Sequence, residues 1–299
     1  MLSLHGSYSF VSGITRHLDF LGDIPNVELR IRHVPLDDAL TESAVLDLLL
    51  PRFRPVLERM TDVVLAGDSS LCQTQLYSPK PPWPPVRTER ERRDGRLFFS
   101  WEDGSAYGIW TLEAQLRGLA RAMETVPVRR LTVKVSLARL YDSDTEAASA
   151  SVFWAAVFDA FSSIEQLCVL VQPVYAPELR IDVLELLRAL LPASAGSREG
   201  GETCFAAVRC PLLSRLSIHG EFGQDAGEAL EALEALAECL SARARAAAGL
   251  SELDVHFWHR DRDERPLSEA HRSLLAQARS RVGTFASKFG FSAGCRSCR

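Results

Sequence analysis

Residues 210–222 read CPLLSRLSIHGEF, and residues 247–259 read AAGLSELDVHFWH. Leu213, Ser214, Leu216, Ile218 and His219 of the first stretch recur as Leu250, Ser251, Leu253, Val255 and His256 of the second, each 37 positions later. A phrase written twice at one interval marks a repeated structural unit. Its skeleton, apolar-x-x-apolar-x-apolar, also fits Ile164/Leu167/Val169, Val128/Leu131/Val133, Met60/Val63/Leu65 and Ile24/Val27/Leu29. The middle anchors Val27, Val63, Leu131, Leu167, Leu216 and Leu253 are separated by 36, 68, 36, 49 and 37 positions. The interval of 68 is close to two units, and the strand-like run Leu97–Trp101 falls near its midpoint.

Several of these runs alternate one step further, as Val27/Leu29/Ile31, Leu131/Val133/Val135, Leu167/Val169/Val171 and Leu253/Val255/Phe257. Strand side chains point to opposite faces in turn, so each triplet shares one face. The residues between them are mostly polar, including Glu28, Arg30, Thr132, Lys134, Asp254 and His256. This pattern predicts a sheet with one buried and one wet face. Fully covered central strands of a doubly wound sheet would instead read as near-continuous apolar runs.

Helical patterns lie between the strand-like runs. Leu112, Leu116, Leu119 and Met123 form one stripe, and Val152, Val157, Phe158 and Phe161 another. The stretch APELRIDVLELLRALLP opens at Pro177 and stops at Pro192. The Ala-, Leu- and Glu-rich segment 227–249 ends on Gly249, the expected C-terminal cap. Strand and helix alternate, so the sheet is expected to be parallel. One strand and one helix cannot bury their own apolar faces, but copies stacked side by side can. The expected architecture is therefore an α/β, right-handed solenoid with a parallel sheet and helices on the other face. Residues 1–290 form its single domain, 78–96 a Pro-rich insertion and 291–299 a polar tail.

The stretches CPLLSRLSIHGEF, LAECLSARARAAAGLSELDV and VPVRRLTVKV resemble the C-terminal leucine-rich-repeat-like region of fungal F-box proteins, whose units often read CPLLxxLxI and LxxCLxARxxAGxxLxxLxV. The resemblance spans roughly residues 20–260 and implies an irregular leucine-rich-repeat-like solenoid. It also implies a non-enzymatic protein–protein interaction module, the substrate-receptor part of an F-box ubiquitin ligase. Two features depart from the pattern. Leucine-rich repeats usually carry Asn or Cys three positions after the last strand Leu, where this chain has Arg32, Asp68, Ser136, Gln172, Glu221 and Trp258. No Leu-Pro-opened helical segment of the F-box kind is recognisable, so the ligase adaptor is a partner only if an F-box is supplied elsewhere.

A formal net charge of −5 provides no overall basic field for nucleic acid or an anionic membrane. The N-terminal residues lack a charged and then apolar leader, and the apolar runs are too short to span a bilayer. Seven widely spread cysteines fit a reducing compartment, cytoplasmic or nuclear. The partner expected is another protein.

The wet face is the default binding surface of such a solenoid. Alternation places Arg30, Arg32, Lys134, Leu170, Gln172, His219, His256 and Trp258 there. Within the Pro-rich segment, Pro82-x-x-Pro85-x-Arg87 has the form of an SH3 ligand. The alternative function is a GDSL-type serine esterase with Ser69 of VVLAGDSSL as nucleophile. Its partner blocks are missing, since Asp254-Val-His256 has the wrong spacing and no Gly-x-Asn block occurs. No cofactor or metal is expected. His256 and His259 are one short of alternation, and Cys295-x-x-Cys298 is a lone pair where structural zinc needs four ligands.

Overall fold

The structure is a computed structural model. It describes residues 2–17, 26–32, 53–58, 60–67, 71–77, 96–102, 118–119, 121–123, 126, 128–135, 154–155, 157–171, 183–191, 208–221, 226–259 and 268–291. The Pro-rich insertion up to residue 95, the Gly-Asp-Ser residues Asp68 and Ser69, and the tail beyond 291 lie outside these. The chain is α/β and forms two compact units, Met1–Leu140 with Cys168–Leu179, and Tyr141–Leu167 with Arg180–Arg299.

The first unit holds β1 (Leu2–Ser7), α1 (Tyr8–Thr15), β2 (Asn26–Arg32), α2 (Arg54–Leu57), β3 (Asp62–Gly67), β4 (Leu71–Tyr77), β5 (Arg96–Glu102) and β6 (Arg130–Val135). Its strand order is β1-β2-β5-β4-β3-β6. The pairs β1/β2, β2/β5 and β3/β6 are parallel. The expected anchors meet in register, with Val27 opposite Leu97 and Val63 opposite Leu131.

The expectation of a purely parallel sheet is corrected by β4, which runs antiparallel to both β3 and β5. Only residues 68–70 separate β3 from β4, whereas a parallel crossover needs about a dozen residues or more. The return of β4 also places β5 beside β2, so β2 and β3 are not neighbours. β1 is a further strand that the repeat template does not reach. It sets Leu2 and Leu4 opposite Val27 and Leu29.

Strand β7 (Gln166–Val171) crosses the division between the units along the chain. The second unit continues with α3 (Val183–Leu190), β8 (Arg215–Glu221), α4 (Ala226–Arg245), β9 (Glu252–His259), α5 (Glu269–Arg279) and β10 (Thr284–Phe291). Here β8, β9 and β10 are parallel neighbours, and α4 lies against both α3 and α5. Leu216 pairs with Leu253, Ile218 with Val255, and Leu253 with Phe285. Leu216, Ile218, Leu253 and Val255 are each at most 2 % exposed, as are Leu233, Leu236 and Leu240 on α4. Each such burial contributes roughly 1.5–3 kcal/mol.

The repeat also shows in the backbone before each strand. The amides of Ser214 and Arg215 donate to the Glu165 carbonyl, those of Ser251 and Glu252 to the Ser214 carbonyl, and that of Thr284 to the Ser251 carbonyl. The hydroxyls of Ser214 and Ser251 reinforce this ladder, donating to the carbonyls of Glu165 at 3.2 Å and Ser214 at 2.9 Å. The third position of the series is Gly283, where a Cβ would approach the Ser251 carbonyl oxygen to 2.9 Å.

Helix α4 does not end on Gly249. The Ala248 amide donates to the Arg243 carbonyl and the Ala247 amide to that of Ala244, with Ala247 at φ 55°. This is a Schellman closure with Ala in the left-handed position that glycine usually takes. Earlier in the helix the buried Arg243 points its guanidinium at the turn before β8. It donates to the carbonyls of Arg209, Cys210 and Leu213 at 3.0, 3.0 and 3.1 Å. Burial pushes the guanidinium below its ordinary pKa range. Arg243 and Cys210 stand in two of the stretches that carry the repeat resemblance, and here they touch.

Candidate functional site

The residues expected on the wet face fall in different places. In the first unit, Arg30 on β2 has an exposed side chain and pairs with Glu28 at 2.8 Å. Arg32 lies on β2 and Lys134 on β6, and their side chains fall outside the described residues. Strands β2 and β6 are four steps apart in the sheet order, about 19 Å at the usual strand spacing. The antiparallel excursion through β4 thus separates residues that a plain stack would bring closer. Leu170 on β7 is half-buried, Gln172 is outside the described residues, and the Trp258 side chain on β9 is likewise not described.

The polar face is also less wet than alternation alone suggests. Thr132 and Ser217 are 4 % and 1 % exposed and Cys168 fully buried, whereas the Arg30 side chain is 46 % exposed. Interior strands have neighbours about 4.8 Å away on both sides, which shade short side chains and leave only long ones in water.

Two of the expected residues, His219 and His256, are brought together. They are register partners on β8 and β9, as are Ser217 and Asp254 two positions earlier. The two imidazoles stack with centroids 4.1 Å apart and planes 11° from parallel. Asp254 serves both rings. Its Oδ2 is 3.3 Å from His219 Nε2, and its Oδ1 is 3.2 Å from His256 Nε2. The Ser217 hydroxyl lies 2.9 Å from the same His219 Nε2. The side chains of His219, Asp254 and His256 are 11, 22 and 12 % exposed. Arg215 and Glu252, the pair at the start of these strands, add a salt bridge of 3.2 Å.

Ser217, His219 and Asp254 have the composition of a catalytic triad but not its geometry. In a triad the serine and the carboxylate bond opposite ring nitrogens, so that one nitrogen takes the serine proton while the other is held. Here both approach Nε2, and the serine is 1 % exposed. Among the described residues of this unit, neither Cys210 nor Cys239 is prepared as a nucleophile. Burial pushes Cys210 up to about 12 and Cys239 up to about 11, leaving both protonated and inert at neutral pH. Ser69 lies outside the described residues.

The donor set His219, Asp254 and His256 went unrecognised at the level of sequence because metal motifs are sought within one strand or helix. The signal was nevertheless present in the repeated phrase, whose final His recurs at the same place 37 residues on. No family model, curated protein or solved structure matches the chain. Among the described residues no helix is long and apolar enough to cross a membrane.

Proposed function

We propose that the protein is a non-enzymatic protein–protein interaction module, built as an irregular leucine-rich-repeat-like right-handed solenoid whose polar sheet face holds another protein. The observation that carries the reading is the in-register stacking of β8 on β9. It sets Leu216 against Leu253 on one face and Arg215, Ser217 and His219 against Glu252, Asp254 and His256 on the other. The seryl ladder through Ser214 and Ser251 supports the solenoid, because it links successive units as an Asn ladder does in regular repeats. The role of substrate receptor in a ubiquitin ligase rests on the resemblance of the repeat phrases alone. It requires an F-box from another segment or chain.

The test places a photo-crosslinking residue at Glu252 on the polar face or at the exposed Glu231 on α4. Crosslinks to one recurrent protein from position 252 and not from 231 are the expected result. Equal labelling from both would contradict the reading. Purified ligase adaptor, added to the chain with and without a grafted F-box, tests the receptor role separately. A fluorophosphonate probe that labels Ser69, and fails to label Ser69→Ala, would establish the esterase alternative instead.

A further inference from the structure

We propose that His219, Asp254 and His256 form a binding site for a divalent transition-metal ion, of which Zn2+ is the natural probe, clipping β8 to β9 on their polar face. The inference goes beyond the interaction reading and stands whether or not that face holds a partner.

The chemistry of the donors comes first. Imidazole nitrogen with a single carboxylate suits zinc, iron, nickel or copper, whereas magnesium and calcium prefer shells made wholly of oxygen. Geometry comes next. One ligand atom from each residue can be chosen so that all lie within 4.8 Å of one another. The N···O separations, 3.3 Å from His219 to Oδ2 and 3.2 Å from His256 to Oδ1 of Asp254, are each close to the roughly 3.3 Å between ligand atoms held about 2.0–2.1 Å from a tetrahedral zinc ion. The carboxylate turns to present one oxygen to an ion that both rings share. The rings lie nearly parallel, so both Nε2 atoms converge on one ion only after each ring tilts toward the other. That motion is about χ2, a broad torsion in histidine with no deep staggered wells. The Ser217 hydroxyl, which shares His219 Nε2, then turns to the carboxylate. Three protein ligands leave one position of a tetrahedral ion open to water or to a donor from a bound molecule.

The repeat explains how such a set arises. The phrase ends in His in both copies, and parallel in-register pairing turns a sequence interval of 37 into a neighbouring pair of rings. The carboxylate enters because β9 carries Asp254 where β8 carries Ser217. Partial burial, with side-chain exposures of 11–22 %, keeps solvent from competing fully for the donors while leaving an approach from the face.

The experiment uses the full chain with Cys295→Ser and Cys298→Ser, so that the tail thiols cannot compete. Zn2+ binding is followed by calorimetry, and Co2+ by its visible spectrum. The expected result is one ion per chain, a tetrahedral cobalt spectrum without thiolate charge-transfer absorption, and a raised unfolding midpoint with Zn2+. His256→Gln and His219→Gln each weaken binding roughly a hundredfold or more, since losing even an outer partner of a ligand costs about 10–100-fold. His5→Gln on β1 leaves it unchanged. Far-UV circular dichroism checks that each variant folds. If one histidine variant does not, the other and Asp254→Asn decide. Absence of saturable binding, or an affinity unmoved in the folded site variants, overturns the proposal.

Discussion

Cys210 and Ala247 adopt the same uncommon backbone conformation, at φ 48° and 55°, 37 residues apart in equivalent places of the repeated phrase. Each lies three residues before the first buried leucine of its unit, Leu213 or Leu250. The repeat is therefore a repeat of chain path as well as of side chains. The left-handed conformation costs a non-glycine residue about 1–2 kcal/mol.

Relief of that cost is measurable at Ala247, which is exposed. Ala247→Gly is expected to stabilise the fold by about 0.5–1 kcal/mol, because glycine suits the left-handed site although it loses more entropy on folding. Ala247→Val is expected to destabilise it by about 1 kcal/mol or more, since a β-branched side chain fits that conformation poorly. Urea midpoints at constant slope provide the comparison.

Arg243 clamps the turn at Cys210 from α4, and its removal takes a charged donor from three carbonyl oxygens, of which that of Cys210 keeps the Leu213 amide. Arg243→Met is expected to cost about 3 kcal/mol or more, since buried groups lose their full solvation when a partner is deleted. Arg243→Lys should recover only part of this, because an ammonium lacks the planar fork. The exposed Arg245→Met should stay within about 0.5 kcal/mol of the parent in the same denaturation series.

The buried thiols give a pH dependence with a definite sign. Cys210 and Cys239 are raised from 9.0 to about 12 and about 11 by desolvation. The folded chain therefore keeps protons that the unfolded chain releases above pH 9. Their contribution to stability is full below that pH and is lost as pH rises toward the folded values. Cys210→Ala should flatten the fall in the unfolding midpoint between about pH 8.5 and 10.5. An unchanged slope would show that other groups set it. At neutral pH both thiols should resist alkylation until the chain unfolds.

Much of this fold was legible in the sequence. Burial on one side of a strand forces alternation, and alternation recurring along the chain identifies the buried faces around Val27, Val63, Leu131, Leu167, Leu216 and Leu253. The strand β4 was not, because Leu71–Tyr77 pairs through a short return whose direction depends on loop length rather than on hydrophobic pattern. Strand β1 alternates only briefly, in Leu2 and Leu4. The polar cluster was half-legible. His219 and His256 lie on β8 and β9, and Asp254 shares a face with His256 two positions away on β9, but the approach of His219 to that pair exists only once the register of the two strands is known. Residue spacing within one strand cannot reveal a site assembled across two.

The most direct measurement of the shared interior is a double-mutant cycle on Leu216 and Leu253. Both leucines are buried and they are register partners, so each change to Ala is expected to cost about 2–5 kcal/mol. Side by side in one core, they should be coupled by about 0.5 kcal/mol or more in the double variant. Costs that add within about 0.3 kcal/mol, or single changes that cost almost nothing, would contradict a core built from matching leucines on neighbouring strands.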